Sequence, residues 1–185
     1  MGERILDLCA APGGKTTHIA ELMRDKGEVI AVDVDESRLM RIRENFMRLG
    51  LKSIKLKKMN IILQEDITSL GKFDRILVDA PCSGLGTIRR CPDIKWKKKD
   101  KDLKRLSNLQ YRMLLNLANY LKIGGVLLYS VCTITEEEGP MVIKRFLRIR
   151  KDYKLVDLRK NCSNNFFPLI NSSGFFFSLP HKHNL

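Results

Sequence analysis

Residues 6–18 read LDLCAAPGGKTTH, and the kind of turn this stretch makes decides the fold. Gly14-Lys15-Thr16 is the second half of a phosphate loop, G-x-x-x-x-G-K-[ST]. The first glycine of such a loop belongs five residues before Gly14, where the chain has Cys9. The glycines that would wrap a phosphate are therefore missing. The dinucleotide pattern G-x-G-x-x-G is missing too, because the turn runs C-A-A-P-G-G. The surroundings still suit an adenosine-containing ligand. Ile5, Leu6 and Leu8 read as a buried strand, and residues 15–23 as the helix after it. Gly13 and Gly14 let the backbone come close to a ligand. A second apolar run, from Val29 to Val32, ends at Asp33. An acidic residue about 20 positions after a glycine turn, at the end of the second strand, can accept both ribose hydroxyls. Alternatively Asp33 caps the helix that follows, and the sequence leaves both roles open.

The alternation continues outward. Residues 36–49 carry Leu39, Ile42, Phe46 and Leu49 at helical spacing, and Gly50 stops the run. Residues 52–59 read as basic and irregular. Ile61, Ile62 and Leu63 read as a third strand leading to Asp66. Residues 73–78 read as a fourth strand closing on Asp79. A loop with Pro81, Gly84, Gly86 and Pro92 follows. Residues 106–121 predict a helix, with Leu109, Met113, Leu114, Leu117 and Leu121 on one side and a stop at Gly124-Gly125. A fifth strand covers residues 126–131. A helix over 136–149 opens on three glutamates, which suit its positive N-terminal end. Residues 153–158 and 175–179 read as the last two strands. This pattern predicts an α/β fold: a mostly parallel sheet, helices on both faces and an antiparallel pair at one edge. Ligands of such sheets bind beyond the carboxyl ends of the strands. Cys9 to Lys15, Asp33, Asp66, Asp79 to Cys82 and Cys132 all follow an expected strand, so they are expected to share one crevice.

Composition narrows the class. The 185 residues, 44% hydrophobic and 30% charged, suit one domain over residues 1–185 with its own core. No apolar run reaches the ~18 residues of a membrane span, and Met1-Gly2-Glu3-Arg4 leads straight into a strand rather than a targeting segment. The net charge of +13 favours polyanions, nucleic acid first. It is concentrated: RRCPDIKWKKKDKDLKR, from Arg89 to Arg105, holds nine basic and three acidic residues. The five cysteines, Cys9, Cys82, Cys91, Cys132 and Cys162, contain no C-x-x-C pair, which argues against zinc. Their odd number argues against a disulfide framework. A monomer with free thiols in the cytoplasm is expected, with a nuclear or nucleolar site if the source is eukaryotic.

Three stretches, LDLCAAPGGKTTH, DAPCSGLGTIRRCPDIKW and YSVCTITEEEG, resemble the S-adenosylmethionine-dependent RNA (cytosine-5) methyltransferases of the NSUN/RsmB group. The likeness runs from about Leu6 to Leu179. It implies a Rossmann-like class I methyltransferase fold with a mostly parallel seven-stranded sheet. It also implies S-adenosylmethionine as cofactor, rRNA or tRNA as partner, and neither metal nor membrane. Carbon 5 of cytosine is a poor nucleophile, and a thiolate adding to carbon 6 activates it. By resemblance Cys132 is that nucleophile and Cys82 assists release of the product. Asp79 holds the base and supports protonation, and Lys15 faces the base, where a cation lowers a thiol pKa. The cofactor set carried over is Cys9, Ala10, Ala11, Pro12, Gly13, Gly14, Lys15, Asp33, Arg38, Asp66 and Asp79. Cys91 and Cys162 match no catalytic position and read as structural.

The chain departs from the family at named places. Val131 and Thr133 flank Cys132 where the family reads T-C-S, and Glu138-Gly139 stands for E-N. Pro168 to Phe176 lacks the histidine and aspartate of the family's closing pattern. Family members also carry an N-terminal RNA-binding segment, and this sequence, which opens at the first strand, is expected to be a catalytic core. Two functions remain: a cytosine-5 RNA methyltransferase, or a cofactor- and RNA-binding module without catalysis. A DNA cytosine methyltransferase ranks below both, because its P-C nucleophile would match Cys82 and leave Cys132 without a counterpart.

Overall fold

A computed structural model describes residues 2–63 and 67–179. The named elements are β1 (Arg4–Leu8), α1 (Gly14–Leu22), β2 (Glu28–Asp33), α2 (Glu36–Arg48), β3 (Ile54–Lys58), β4 (Phe73–Asp79), α3 (Ile94–Lys97), α4 (Asp100–Leu117), β5 (Leu121–Ser130) and α5 (Pro140–Ile149). The chain forms two compact units. The first runs to Pro81 and resumes over Arg112–Ser130; the second takes Cys82–Tyr111 and the chain from Val131 onward.

The first unit is an α/β sheet with every pairing parallel, in the order β3-β2-β1-β4-β5. The chain winds one way through β1, β2 and β3, then returns to the other side of β1 for β4. That reversal places the switch point between β1 and β4. Val29 and Ala31 of β2 pack with Ala20 of α1 and with Leu39 and Ile42 of α2. Ile30 and Val32 are buried as well, so β2 is covered on both faces, as a parallel strand must be.

Several expected elements move. The third strand is Ile54–Lys58, not residues 61–63. Ile54 and Leu56 alternate with lysines, which is how an edge strand discourages pairing with another chain, and the lysines hide the period of two. Ile61–Leu63 is a 3₁₀ turn instead, because Asn60 Oδ1 accepts the Ile62 N–H at 3.0 Å. The helix expected over 106–121 begins at Asp100, where Asp102 accepts the Lys99 N–H at 3.1 Å, and ends at Leu117. Gly124-Gly125 lies inside β5 rather than ending a helix. A Cβ on Gly125 would sit 2.8 Å from Asp74 O, and the β4–β5 register shifts there. The pair makes a bulge.

In the second unit α5 starts at Pro140, whose missing N–H is no loss in a first turn. Residues 136–139 form a turn, so the three glutamates do not head the helix. Arg145 stacks 4.1 Å from the Tyr111 ring and donates to Asn108 at 2.8 Å, fastening α5 to the start of α4. Residues 153–158 and 175–179 form no ladder. Only an antiparallel bridge joins Ile170 to Phe176, around a turn in which Asn171 Oδ1 accepts the Ser173 and Phe175 amides. Pro168 interrupts the segment before it. Among the described residues the sheet therefore has five strands rather than seven, with no antiparallel edge. Among them, too, no helix is long and apolar enough to cross a membrane.

Asp7 lies in the middle of the sheet. Its Oδ2 accepts the Thr16 hydroxyl at 2.6 Å, which ties β1 to α1, while its Oδ1 is buried without a partner. Burial pushes its pKa up to about 6, against the pull of Thr16. In an unfolded chain an Asp titrates near ~3.9. Between those values the folded chain holds a proton that the unfolded chain has released, so this group costs stability as pH rises through the window. The difference is worth about 3 kcal/mol. Urea unfolding at pH 4 and pH 6.5 is expected to show Asp7→Asn gaining about that much on the parent chain as pH rises. Parallel profiles would contradict it.

Candidate active site

The first unit holds a small open pocket at its switch point. Gly13 makes it possible. Its φ of 101° lies in the left-handed region, and a Cβ there would come within 2.9 Å of Ile42 Cγ2 on α2. Gly14 opens α1, and a Cβ there would meet nothing within 4 Å, because the turn faces open space. That space is a cavity of about 240 Å³ bounded by Asp7, Cys9, Pro12, Gly14, Lys15 and Asp79, with Ala10 and Ala11 behind them. Lys15 follows β1 and Asp79 ends β4, and the two meet across the switch point with Nζ 2.6 Å from Oδ2. The other oxygen of Asp79 accepts the Ser130 hydroxyl from the end of β5 at 2.6 Å. Asp79 is thus aimed by two elements.

Of the two roles that the sequence left open for Asp33, the cap of the next helix falls to Asp35 instead. Asp35 is the cap of α2, accepting the Ser37 and Arg38 amides at 2.8 and 3.3 Å. Asp33 caps nothing. Its side chain is 2% exposed, its oxygens accept the Ala11 and Asp35 amides, and Arg38 Nη1 lies 3.6 Å away. Arg38 also reaches Ala11 O, and Asn45 donates to Pro12 O at 3.1 Å, so α2 holds the turn from behind. Asn45 carried no sequence signal beyond its place on a helix. The thiol of Cys9 is not a reagent: burial, then the charges of Asp33, Asp7 and Asp79, push its pKa up to about 12. Asp66 lies outside the described residues.

The second unit brings Cys82 and Cys132 together. Their sulfurs are 3.1 Å apart, and the Cys132 N–H donates to Cys82 Sγ at 3.3 Å. Gly86 N–H donates to Cys132 O at 3.1 Å, and a Cβ on Gly86 would press on that same carbonyl. The pKa of Cys82 is driven far up by its hydrogen bond with Cys132, then by burial, then by charge on Cys132. Both the contact and burial thus favour the protonated form of Cys82. Cys91 is exposed and Cys162 half-buried, and neither takes part.

What holds the two sulfurs in register is Glu138, which nothing in the sequence separates from its two neighbours. It is fully buried. Its Oε1 accepts the Ser83 amide at 2.8 Å and the Gln110 side chain at 2.9 Å, and Oε2 takes a longer bond from Thr135 at 3.4 Å. Ser83 follows Cys82 directly, and its hydroxyl lies 2.9 Å from that of Thr133, which follows Cys132. Thr133 thus supplies a hydroxyl where the family carries serine. The described residues contain no group of three or more His, Cys, Asp or Glu side chains placed to hold a metal.

A parallel sheet with an adenosine-type turn at its switch point, together with paired thiols after its fourth and fifth strands, defines a Rossmann-like methyltransferase. The chain belongs to the 16S rRNA methyltransferase RsmB/F family, whose model matches residues 1–184. It is 49% identical over 154 residues to ribosomal RNA small subunit methyltransferase B of Klebsiella pneumoniae, covering 83% of this chain and 35% of that protein. To the protein of the same name in Escherichia fergusonii it is 47% identical over 156 residues, covering 84% and 36%. The crystal structure of NSun6 from Pyrococcus horikoshii with SFG superposes with a TM-score of 0.81 at 38% identity, over 98% of this chain and 44% of that one. The chain thus spans little more than a third of the length of these curated relatives.

Removing the Glu138 carboxylate takes its acceptor from the buried Ser83 amide and one bond from the Gln110 side chain, and a buried donor left unsatisfied costs about 1–3 kcal/mol. Glu138→Leu is expected to lower the urea-unfolding free energy by about 3 kcal/mol, and Glu138→Gln, which keeps one acceptor, by clearly less. Equal losses in the two variants would show that shape, not hydrogen bonding, is what the site needs.

Proposed function

We propose that the chain is the catalytic core of an enzyme that transfers a methyl group from S-adenosylmethionine to carbon 5 of a cytosine in RNA, through a bond from Cys132 to carbon 6. The observation that carries this reading is the 3.1 Å pair of sulfurs, one three residues after Asp79 and the other two after Ser130. The names of the relatives favour small-subunit ribosomal RNA as the substrate.

The first unit's pocket suits the amino-acid end of the cofactor. Its wall is backbone from Cys9 to Lys15, with Ala10, Ala11 and Gly14 leaving room, and Asp79 offers a carboxylate to an ammonium group. Asp33 is assigned the ribose hydroxyls; Arg38, 49% exposed along its side chain, is the group that gives way. Asp66 is assigned the adenine amine. When bound, S-adenosylmethionine supplies an electrophilic methyl.

The chemistry then falls to the thiols. The Cys132 thiolate attacks carbon 6, and the electrons of the 5,6 double bond make carbon 5 nucleophilic. Asp79 is assigned to the base, where it accepts from the exocyclic amine beside N3, Lys15 keeps negative charge favourable, and carbon 5 takes the methyl as the methyl's bond to the cofactor sulfur breaks. Loss of the carbon 5 proton then expels the Cys132 sulfur and restores the double bond. Cys82 is suited to take that proton only at that stage. In the unreacted pair the sulfur and the charge of Cys132 hold the Cys82 proton in place. Once the Cys132 sulfur is bonded to carbon, its charge is gone and its hydrogen bond is weakened, so that mainly burial opposes the release of the Cys82 proton to solvent. The order of events is set by the contact itself.

The test uses Cys82→Ala with S-adenosylmethionine and ribosomal and transfer RNA on a denaturing gel. The expected result is a slow, ribonuclease-sensitive band that disappears when Cys132→Ala is added, together with methyl transfer reduced at least ~100-fold. Normal turnover by Cys82→Ala would falsify these roles. Cofactor binding with no band would instead favour the non-catalytic module.

A further inference from the structure

The segment between the two cysteines has chemistry that the transfer reaction does not use. The chain's one tryptophan, Trp96, sits on α3 with 78% of its surface exposed. Lys95 Nζ lies 4.8 Å from the centre of its ring. An indole left in water is a cost that a folded chain normally avoids by burial. The same stretch, residues 89–105, is rich in cations. Lys97 pairs with Asp93 at 3.8 Å and Arg105 with Asp102 at 3.9 Å. Among the described residues Arg89, Arg90, Lys98, Lys99, Lys101 and Lys104 have no carboxylate partner, and most of them are exposed.

The platform is fastened to the cysteine loops. Gly84, at φ 77°, has room for no side chain larger than its hydrogen without crowding Ile94 Cδ1, 3.3 Å from where a Cβ would be. Turns then run unbroken toward α3: Thr87 N–H to Gly84 O, Cys91 N–H to Thr87 O, and Ile94 N–H to Cys91 O. Two residues after Gly84, Gly86 N–H binds Cys132 O. The backbone that carries Trp96 is the backbone that abuts the Cys132 carbonyl.

We propose that residues 89–105 receive a single-stranded stretch of RNA flanking the target, with Trp96 stacked on one of its bases and the free cations on its phosphates. This names the contact surface of the RNA methyltransferase proposed above and rests on that reading. A duplex does not fit the chemistry. Its base faces already stack on one another, leaving an indole nothing to cover, whereas unstacked bases are what aromatic platforms recognise. The unpaired positive charge selects phosphate over apolar partners.

Because Trp96 is the chain's only tryptophan, its fluorescence reports on this surface directly and without catalysis. A single-stranded RNA of about ten nucleotides is expected to quench the emission, and a duplex of equal length to leave it nearly unchanged. In filter binding, Trp96→Ala is expected to lose about tenfold in affinity for the single strand, and Trp96→Phe to recover most of it. Lys98→Glu with Lys99→Glu is expected to weaken binding and flatten its salt dependence. Circular dichroism establishes that each variant is folded. RNA binding with unchanged tryptophan emission would overturn the proposal, as would equal quenching by duplex RNA or by polyglutamate. Quenching without methyl transfer would leave this surface standing and count against the catalytic reading.

Discussion

A buried carboxylate sets the geometry on which the reactive part of this chain depends. Glu138 takes the amide that follows Cys82, the side chain of Gln110 on α4 and, more distantly, the hydroxyl of Thr135. Two loops that are 50 residues apart in sequence are brought to a sulfur–sulfur distance of 3.1 Å. Neither loop has a strand ladder to hold it. Each lies just after a strand ends, where the backbone is free to take the course its hydrogen bonds dictate. A charged group in such a place is costly unless its oxygens are satisfied, and here both oxygens have donors.

The pocket of the first unit follows a different principle. Its walls are strand ends and a turn, fixed by a sheet buried on both faces. Lys15 and Asp79 meet across the switch point, each partly exposed, so the pair adds little to stability. Its value is in placing charge. One side of the turn is held by Asp33 at the end of β2 and by Arg38 and Asn45 of α2, and the other by Thr16 and Asp7. The turn can therefore present bare backbone to a ligand without collapsing onto it. The closeness of Gly13 to Ile42 shows how little space separates the turn from α2.

Much of this was legible in the sequence, for identifiable reasons. The parallel order was readable because β1, β2 and β4 are short, largely apolar runs, and β2 and β4 each end in an aspartate that marks the carboxyl end. The glycine turn was readable because Gly13 and Gly14 have no other reason to follow a strand. Periodicity failed where charge masked it, as in Ile54-Lys55-Leu56, an edge strand that looked like a basic loop. It failed again at Gly124-Gly125, since a bulge and a helix stop call for the same residues. The closing strands failed because apolar runs such as Leu155-Val156 lack a ladder partner among the described residues. Glu138 was invisible for a deeper reason. Three consecutive glutamates are chemically alike in sequence, and only the course of a turn decides which of them turns inward.

The measurement that tests the account most directly is the pH dependence of Cys82 alkylation, resolved by peptide mass spectrometry, in the parent chain and in Cys132→Ala. The contact between the thiols predicts that Cys82 reacts sluggishly in the parent chain. With Cys132 removed, its reactivity should appear at distinctly lower pH, since only burial then holds the proton. Identical profiles for Cys82 in the two proteins would contradict the account, because the sulfurs would then titrate independently and the order of steps could not come from their contact.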